Sequence, residues 1–243
     1  TTVAKLERWG WYATGPVHSI QIQHGKHRGR LIVPCDHRLG DDGEDKGANG
    51  VHVILSDDHG ETWRLGAVDN SYEDGLNANE TTVVELSDGK LYFNTRDQHG
   101  EAPGTRGSAI SSDGGETFEP SGIASFGPFS PCSQVLDTPV VQRSLLRAKL
   151  PSATEPGLIL FCGPDESGPS GKGRSDLRIR FSTDEARTWK DGLLLHAGPA
   201  AYSDMVAVSD HSIGVLFEAG PLGSSPYDTI QFRRFATAEL VAE

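Results

Sequence analysis

An octapeptide written three times constrains this chain more than any other feature. SDDHGETW, residues 56–63, returns as SSDGGETF at 111–118 and, altered, as STDEARTW at 182–189. Serine, aspartate, threonine and a closing aromatic keep their spacing in all three, whereas the glycine of the first two becomes Ala186 in the third. A chemical site is rarely needed three times, but a turn that closes a sheet is needed once per sheet, so the repetition reads as scaffold. The side chains suit that work. An aspartate can accept from nearby backbone N–H groups, a glycine permits a tight bend, and the aromatic can insert between neighbouring sheets.

The rest of the chain is written in short alternating runs, among them Ser19–Ile22, Arg30–Val33, Val51–Leu55, Thr82–Leu86 and Lys90–Phe93. The later part repeats the habit at Gly157–Phe161, Leu177–Phe181, Ser212–Phe217 and Thr229–Arg233. A period of two suits strands with one buried face. ELSDGKLYF, residues 85–93, predicts a hairpin in which Asp88-Gly89 supplies the positive-φ residues of a tight turn. Helical periodicity is confined to the stretch near Ala236–Val241. The expectation is an all-β chain, and copies starting at 56, 111 and 182 suit four-stranded blades with variable loops, the radial plan of a β-propeller.

Composition excludes several functions. A formal net charge of −12 repels phosphate backbones and anionic surfaces, so no nucleic-acid partner is expected. No segment approaches the roughly 18 to 20 apolar residues of a membrane helix, so no membrane span is expected. Three scattered cysteines, at 35, 132 and 162, form neither a CxxC pair nor a disulfide framework. The nine histidines include no HExxH. DHRLGDDGEDKGANG (36–50) has the composition of a calcium loop without EF-hand spacing and reads as a solvated connection, so neither metal nor cofactor is expected. GPDESGPSGKGR (163–174) lacks a P-loop pattern and reads as a mobile loop delivering Arg174.

The octapeptides resemble the aspartate boxes of sialidases, and NETTVVELSDGKLYFNTRD (79–97) sharpens the likeness. It is similar to the sialidase stretch in which a catalytic glutamate precedes a hairpin and a substrate-binding arginine follows it, which implies those roles for Glu80 and Arg96. GRSDLRIRFSTD (173–184) resembles the segment carrying a second arginine of the family's triad, at Arg174. AYSDM (201–205) matches the stretch of the nucleophilic tyrosine, at Tyr202, and GVLFEAG (214–220) the strand whose glutamate supports the triad, at Glu218. YATGPVHSIQIQHGKHRGRLIVP (12–34) resembles a strand pair that begins a middle blade.

The resemblance spans essentially the whole chain, which is identified as the later blades of a six-bladed sialidase propeller, about four of them. Residues 1–243 then form one domain without a linker or second domain. The implied activity is retaining release of terminal α-linked sialic acid from a sialylated glycan. The first triad arginine and the acid/base aspartate have no match here, so an upstream segment or another chain is expected to complete the propeller. A secreted or periplasmic setting is implied by the same likeness.

The implied roles make chemical sense. Guanidinium forks pair with the carboxylate on the sugar's anomeric carbon. Sialidases with a tyrosine nucleophile are an exception to carboxylate nucleophiles, and a physical reason is available: a neutral phenol avoids the repulsion that an anionic nucleophile would meet beside that carboxylate. With an ordinary value near 10 the phenol needs a base, the part implied for Glu80. Glu218 is expected to orient the absent arginine. Asp97, Asp204 and Asp228 are spare carboxylates that spacing does not select as the acid. The rival expectation is a non-catalytic sialic-acid-binding or protein-interaction propeller using the same arginines or only the scaffold.

Overall fold

A computed structural model of the chain describes residues 4–40, 47–98, 105–132, 136, 139–166 and 173–241. The chain separates into two compact units, Thr1–Cys132 and Ser133–Glu243. In the first, β1 (Trp9–Thr14) and β2 (Ile20–Gln21) pair in succession with β3 (Leu31–Leu39). The sheet continues through β4 (Asn49–Ser56) to β5 (Arg64–Val68). A second sheet runs β6 (Ala78–Glu85), β7 (Leu91–Asp97), β8 (Arg106–Ser111) and β9 (Ser130–Pro131). Both are antiparallel meanders, and their alternation buries Ile32, Val53 and Leu55 with Val83, Leu91 and Phe93 in one apolar cluster.

The second unit holds β10 (Ser144–Lys149), β11 (Leu158–Glu166), β12 (Ser175–Ser182), β13 (Lys190–Ser209), β14 (Ser212–Ala219) and β15 (Thr229–Ala236), in that order. The 20-residue β13 serves two sheets: its first half pairs with β12 and its second half with β14. Three register shifts against β12, with Gly198 at φ 109°, let the strand leave one sheet and enter the next. Each unit therefore contains two meanders, in keeping with about four blades. The single turn of α1 (Thr237–Leu240) falls inside the helical stretch that the sequence suggested. Among the described residues no helix is long and apolar enough to cross a membrane. Residues 41–46 of the acidic loop and 167–172 of the glycine-rich loop lie outside the described residues.

The hairpin at 85–93 forms, but only Gly89 takes a positive φ, at 83°; Asp88 does not. Leu86 N–H donates to Lys90 O at 2.8 Å and Gly89 N–H to Leu86 O at 3.0 Å. The connection is a three-residue loop ending in a left-handed glycine, rather than a two-residue turn.

All three aspartate boxes join the third strand of a meander to its fourth. In the first, the Ser56 hydroxyl contacts Asp58 at 2.8 Å and accepts Gly60 N–H at 2.8 Å. Asp58 accepts the N–H and the hydroxyl of Thr62 at 2.9 and 2.5 Å. These donations, led by the Thr62 hydroxyl, hold the Asp58 carboxyl down to about 2. The same bonds recur for Ser111, Asp113, Gly115 and Thr117, and for Ser182, Asp184, Ala186 and Thr188. The aromatic varies in use. Trp63 folds back over its own turn, donating to Gly60 O at 3.0 Å, whereas Phe118 packs edge-on to Phe93 and Phe129, and Trp189 packs on Phe161. Arg30 ties the first two boxes together, reaching Asp57 at 2.6 Å, Glu116 at 2.8 Å and Gly114 O at 3.0 Å.

The fourth and fifth box residues stand in the left-handed region in every copy, so Ala186 sits at φ 62° where its relatives Gly60 and Gly115 have none of the Cβ penalty. Ala186→Gly should raise stability by about 0.5–1 kcal/mol, measurable as a higher calorimetric midpoint. Gly115→Ala should lower it, since a Cβ there would stand 3.1 Å from Leu55 Cδ2.

The first unit also buries two histidines whose Nδ1 atoms lie 3.1 Å apart. Trp9 stacks on His37 at 3.9 Å, Tyr72 Oη lies 2.8 Å from His37 Nε2, and Tyr12 faces His52. Burial pushes both rings well below the ordinary histidine range, reinforced at His37 by His52 and Arg8. The unfolded chain takes up these protons as pH falls below about 6.5 while the native state refuses them, so stability is present above that value and drains away beneath it. Urea unfolding from pH 7.5 to 5 should show a falling free energy, with a slope approaching about 1.4 kcal/mol per pH unit for each histidine. A flat profile would contradict this account of the pair.

Candidate active site

In each unit the candidate site residues gather toward one end of their strands. In the first unit, Glu80 lies near the start of β6, Arg96 near the end of β7 and Arg106 at the start of β8. The box leaves from the far end of β8, at Ser111. The ladder pairs Ala78 with Asp97 and then Thr81 with Thr95, so β6 carries one residue more than β7. That bulge turns Glu80 toward Arg96, and Arg96 Nη1 donates to Glu80 Oε2 at 2.6 Å with both side chains largely shielded, at 11% and 16% exposure. The sequence placed these two as base and ligand; the structure brings them together as an ion pair.

Arg106, directly opposite Arg96 in the ladder, went unnoticed in the sequence. Its guanidinium is buried and donates through Nε and Nη2 to Asn94 Oδ1 at 2.8 and 2.6 Å. Burial draws it down to about 10, with the neighbouring Cys132 and Glu80 acting the other way, so it stays cationic at neutral pH. The only sequence signal was an arginine at the head of the strand that runs into the second box.

The second unit repeats the device. Ala200 pairs with Ala219 and Ser203 with Phe217, which leaves an extra residue on β13 around Tyr202. Freed from the ladder there, Tyr202 N–H donates to Glu218 Oε2 at 3.1 Å. Glu218 was expected to await an arginine outside the chain; here its carboxylate accepts the backbone of the tyrosine. Arg174, just before β12, holds its guanidinium carbon 5.8 Å from the centre of the Tyr202 ring and 5.9 Å from that of Tyr227. Its Nη1 donates to Tyr227 Oη and its Nη2 to Val140 O at 3.4 Å. Tyr227 is a further residue that the sequence did not single out.

The spare carboxylates divide. Asp97 is buried and accepts Asn77 N–H at 3.1 Å, a structural use. Asp204, half-buried, accepts Met205 N–H at 2.9 Å, and Asp228 is exposed in the β14–β15 loop. Among the described residues no group of three or more His, Cys, Asp or Glu could hold a metal ion.

Comparison with known proteins bears on the family and the fold. Residues 2–215 match the family described as BNR repeat-like domain. A sialidase of Micromonospora viridifaciens is 32% identical over 203 residues, covering 83% of this chain and 28% of that protein. Sialidase-3 of Homo sapiens is 28% identical over 290 residues, covering 98% of this chain and 60% of the relative. Among solved structures, the Hadza microbial sialidase Hz136 superposes with a TM-score of 0.74 at 26% identity, over 99% of this chain and 40% of that one. The chain thus spans less than two thirds of the length of each of these relatives, from 28% to 60%. Its meanders have the fold of sialidase β-propellers, and the chain belongs to the BNR repeat-like domain family as a member of the sialidases.

Proposed function

We propose that this chain carries the nucleophile side of an exo-α-sialidase that releases terminal α-linked sialic acid with retention of configuration. The observation that carries the reading is the cluster of Arg174, Tyr202 and Glu218, in which a fixed cation lies over the phenol that would attack and a carboxylate pins that phenol's backbone. Arg96 and Arg174 would grip the sugar's carboxylate as paired charge-assisted donors. Tyr202 Oη would form a bond to the anomeric carbon as the glycosidic C–O bond breaks, passing its proton to Glu80. Competition from the substrate carboxylate for Arg96 would free Glu80 from its ion pair for that task. Water would then attack the same carbon, the tyrosyl bond would break, and Glu80 would return the proton to the phenolate, so that two inversions give net retention.

Protonation of the leaving oxygen, and the deprotonation of water that follows, need an acid for which Asp97, Asp204 and Asp228 show no special fitness. We assign that group, with a third arginine, to an upstream segment or another chain. Residues 1–243 would then act as one domain, despite comprising two compact units.

The test is hydrolysis of an aryl sialoside by the chain alone and by a longer polypeptide that adds the upstream blades. In the completed protein Tyr202→Phe should abolish turnover while sparing ligand binding, and Glu80→Gln should cost on the order of a hundredfold. NMR of the first-formed sugar should show the α anomer. Robust turnover by the 243 residues alone would overturn the need for an added acid. Full activity in Tyr202→Phe would overturn the nucleophile, and ligand binding without turnover in the longer protein would leave a lectin-like module.

A further inference from the structure

We propose that Tyr227 is a positioning residue for Arg174: it fixes the plane of that guanidinium so that the donors facing a bound carboxylate are aligned before the ligand arrives. The inference rests on the reading of Arg174 as a carboxylate-binding residue and extends that site to a tyrosine which the sequence left unremarked. Tyr227 lies in the connection between β14 and β15, two residues before Thr229, whose hydroxyl donates to Ala219 O at 2.6 Å. The register that pairs Glu218 with Ile230 brings this connection to the end of the sheet where Tyr202 leaves its ladder.

The connection is built rather than slack. Ser224 N–H and its hydroxyl donate to Pro221 O at 3.1 and 2.8 Å, Tyr227 N–H donates to Ser225 Oγ at 3.2 Å, and Asp228 N–H reaches Ser225 O at 3.4 Å. Gly223 supplies the positive φ, 82°, that the bend requires. The tyrosine so held is not a core residue, since it remains 54% exposed. Its contacts with Arg174 are its ring face and its oxygen.

Arginine loses much rotamer freedom when it is fixed, and that loss weakens binding if it falls at the moment of association. Tyr202 and Tyr227 both lie within cation–π range of the guanidinium, and Tyr227 Oη and Val140 O each take one hydrogen from a different terminal nitrogen. Each of those nitrogens carries a second hydrogen. The result is a guanidinium with its plane fixed and N–H groups still to offer a planar anion. Tyr202 has its place in the reaction, so Tyr227 is the member of the pair whose work is orientation alone.

The experiment titrates the 243-residue chain with N-acetylneuraminic acid and, separately, with its neutral methyl ester, followed by protein NMR shifts. Wild type, Tyr227→Phe, Tyr227→Ala, Arg174→Ala and the Arg174→Ala/Tyr227→Ala double variant are compared, with folding checked by circular dichroism. Tyr227→Phe should weaken the acid by about threefold and Tyr227→Ala by about tenfold, with the ester little changed, and the Tyr227→Ala effect should vanish in the Arg174→Ala background. A parallel loss for acid and ester would mean a merely structural tyrosine and overturn the inference. So would unchanged acid affinity in both Tyr227 variants while Arg174→Ala abolishes the preference for acid; the functional reading would then survive. If wild type shows no preference for the acid, or Arg174→Ala retains it, the functional reading fails and this inference falls with it.

Discussion

The structure depends on a serine and an aspartate that replace a missing piece of β-ladder. Where the third strand of each meander turns into the fourth, the backbone passes through two consecutive left-handed residues and its N–H groups lose their ladder partners. The serine hydroxyl and the aspartate carboxylate accept them instead, by the same set of bonds in all three copies. Buried or half-buried backbone donors are costly without partners, so this closure decides whether the fourth strand returns along the sheet at all. The third copy shows how strongly the side chains impose the bend, because Ala186 adopts the left-handed conformation without a glycine's freedom.

Closing one end rigidly leaves the other end for departures from the ladder. In the first unit β6 carries an extra residue at Glu80, and in the second β13 carries one at Tyr202. Both bulges stand opposite a charged residue of the next strand, Arg96 in one and Glu218 in the other, and in both the charged group answers the bulged residue. An arginine as shielded as Arg96 would be expensive without its carboxylate, and Arg106 behind it adds to the demand for negative charge. The resting ion pair engages Arg96 Nη1, and under the proposed mechanism a ligand carboxylate taking its place would release the group proposed as base.

The apolar alternation placed most strands because a buried face and a solvent face impose period two, as at Ile32, Val53 and Leu177. It did not anticipate β13, which has no sustained alternation; Gly192, Gly198 and Pro199 lie in the half that shifts register before the strand crosses to the next sheet. It also gave Asp88 a positive φ that the three-residue loop does not need. Arg106 and Tyr227 stayed hidden because each matters through a neighbour across the sheet or at its end, and such adjacency has no signature along the chain.

By itself, the sequence determined the repeated closure and the strand-rich fold, and its resemblance to sialidases singled out Glu80, Arg96, Arg174, Tyr202 and Glu218 as candidates. The closure and the strands are properties of local spacing, since a turn of eight residues and a period of two are written in neighbouring positions. The tertiary structure decided which of those residues answer one another: that Glu80 rests on Arg96, that Glu218 holds the backbone of Tyr202, and that Arg174 lies within cation–π range of two phenol rings. The reason is register. One extra residue in a bulge changes the face on which a side chain lies, and only pairing with a strand many residues away fixes where that extra residue falls.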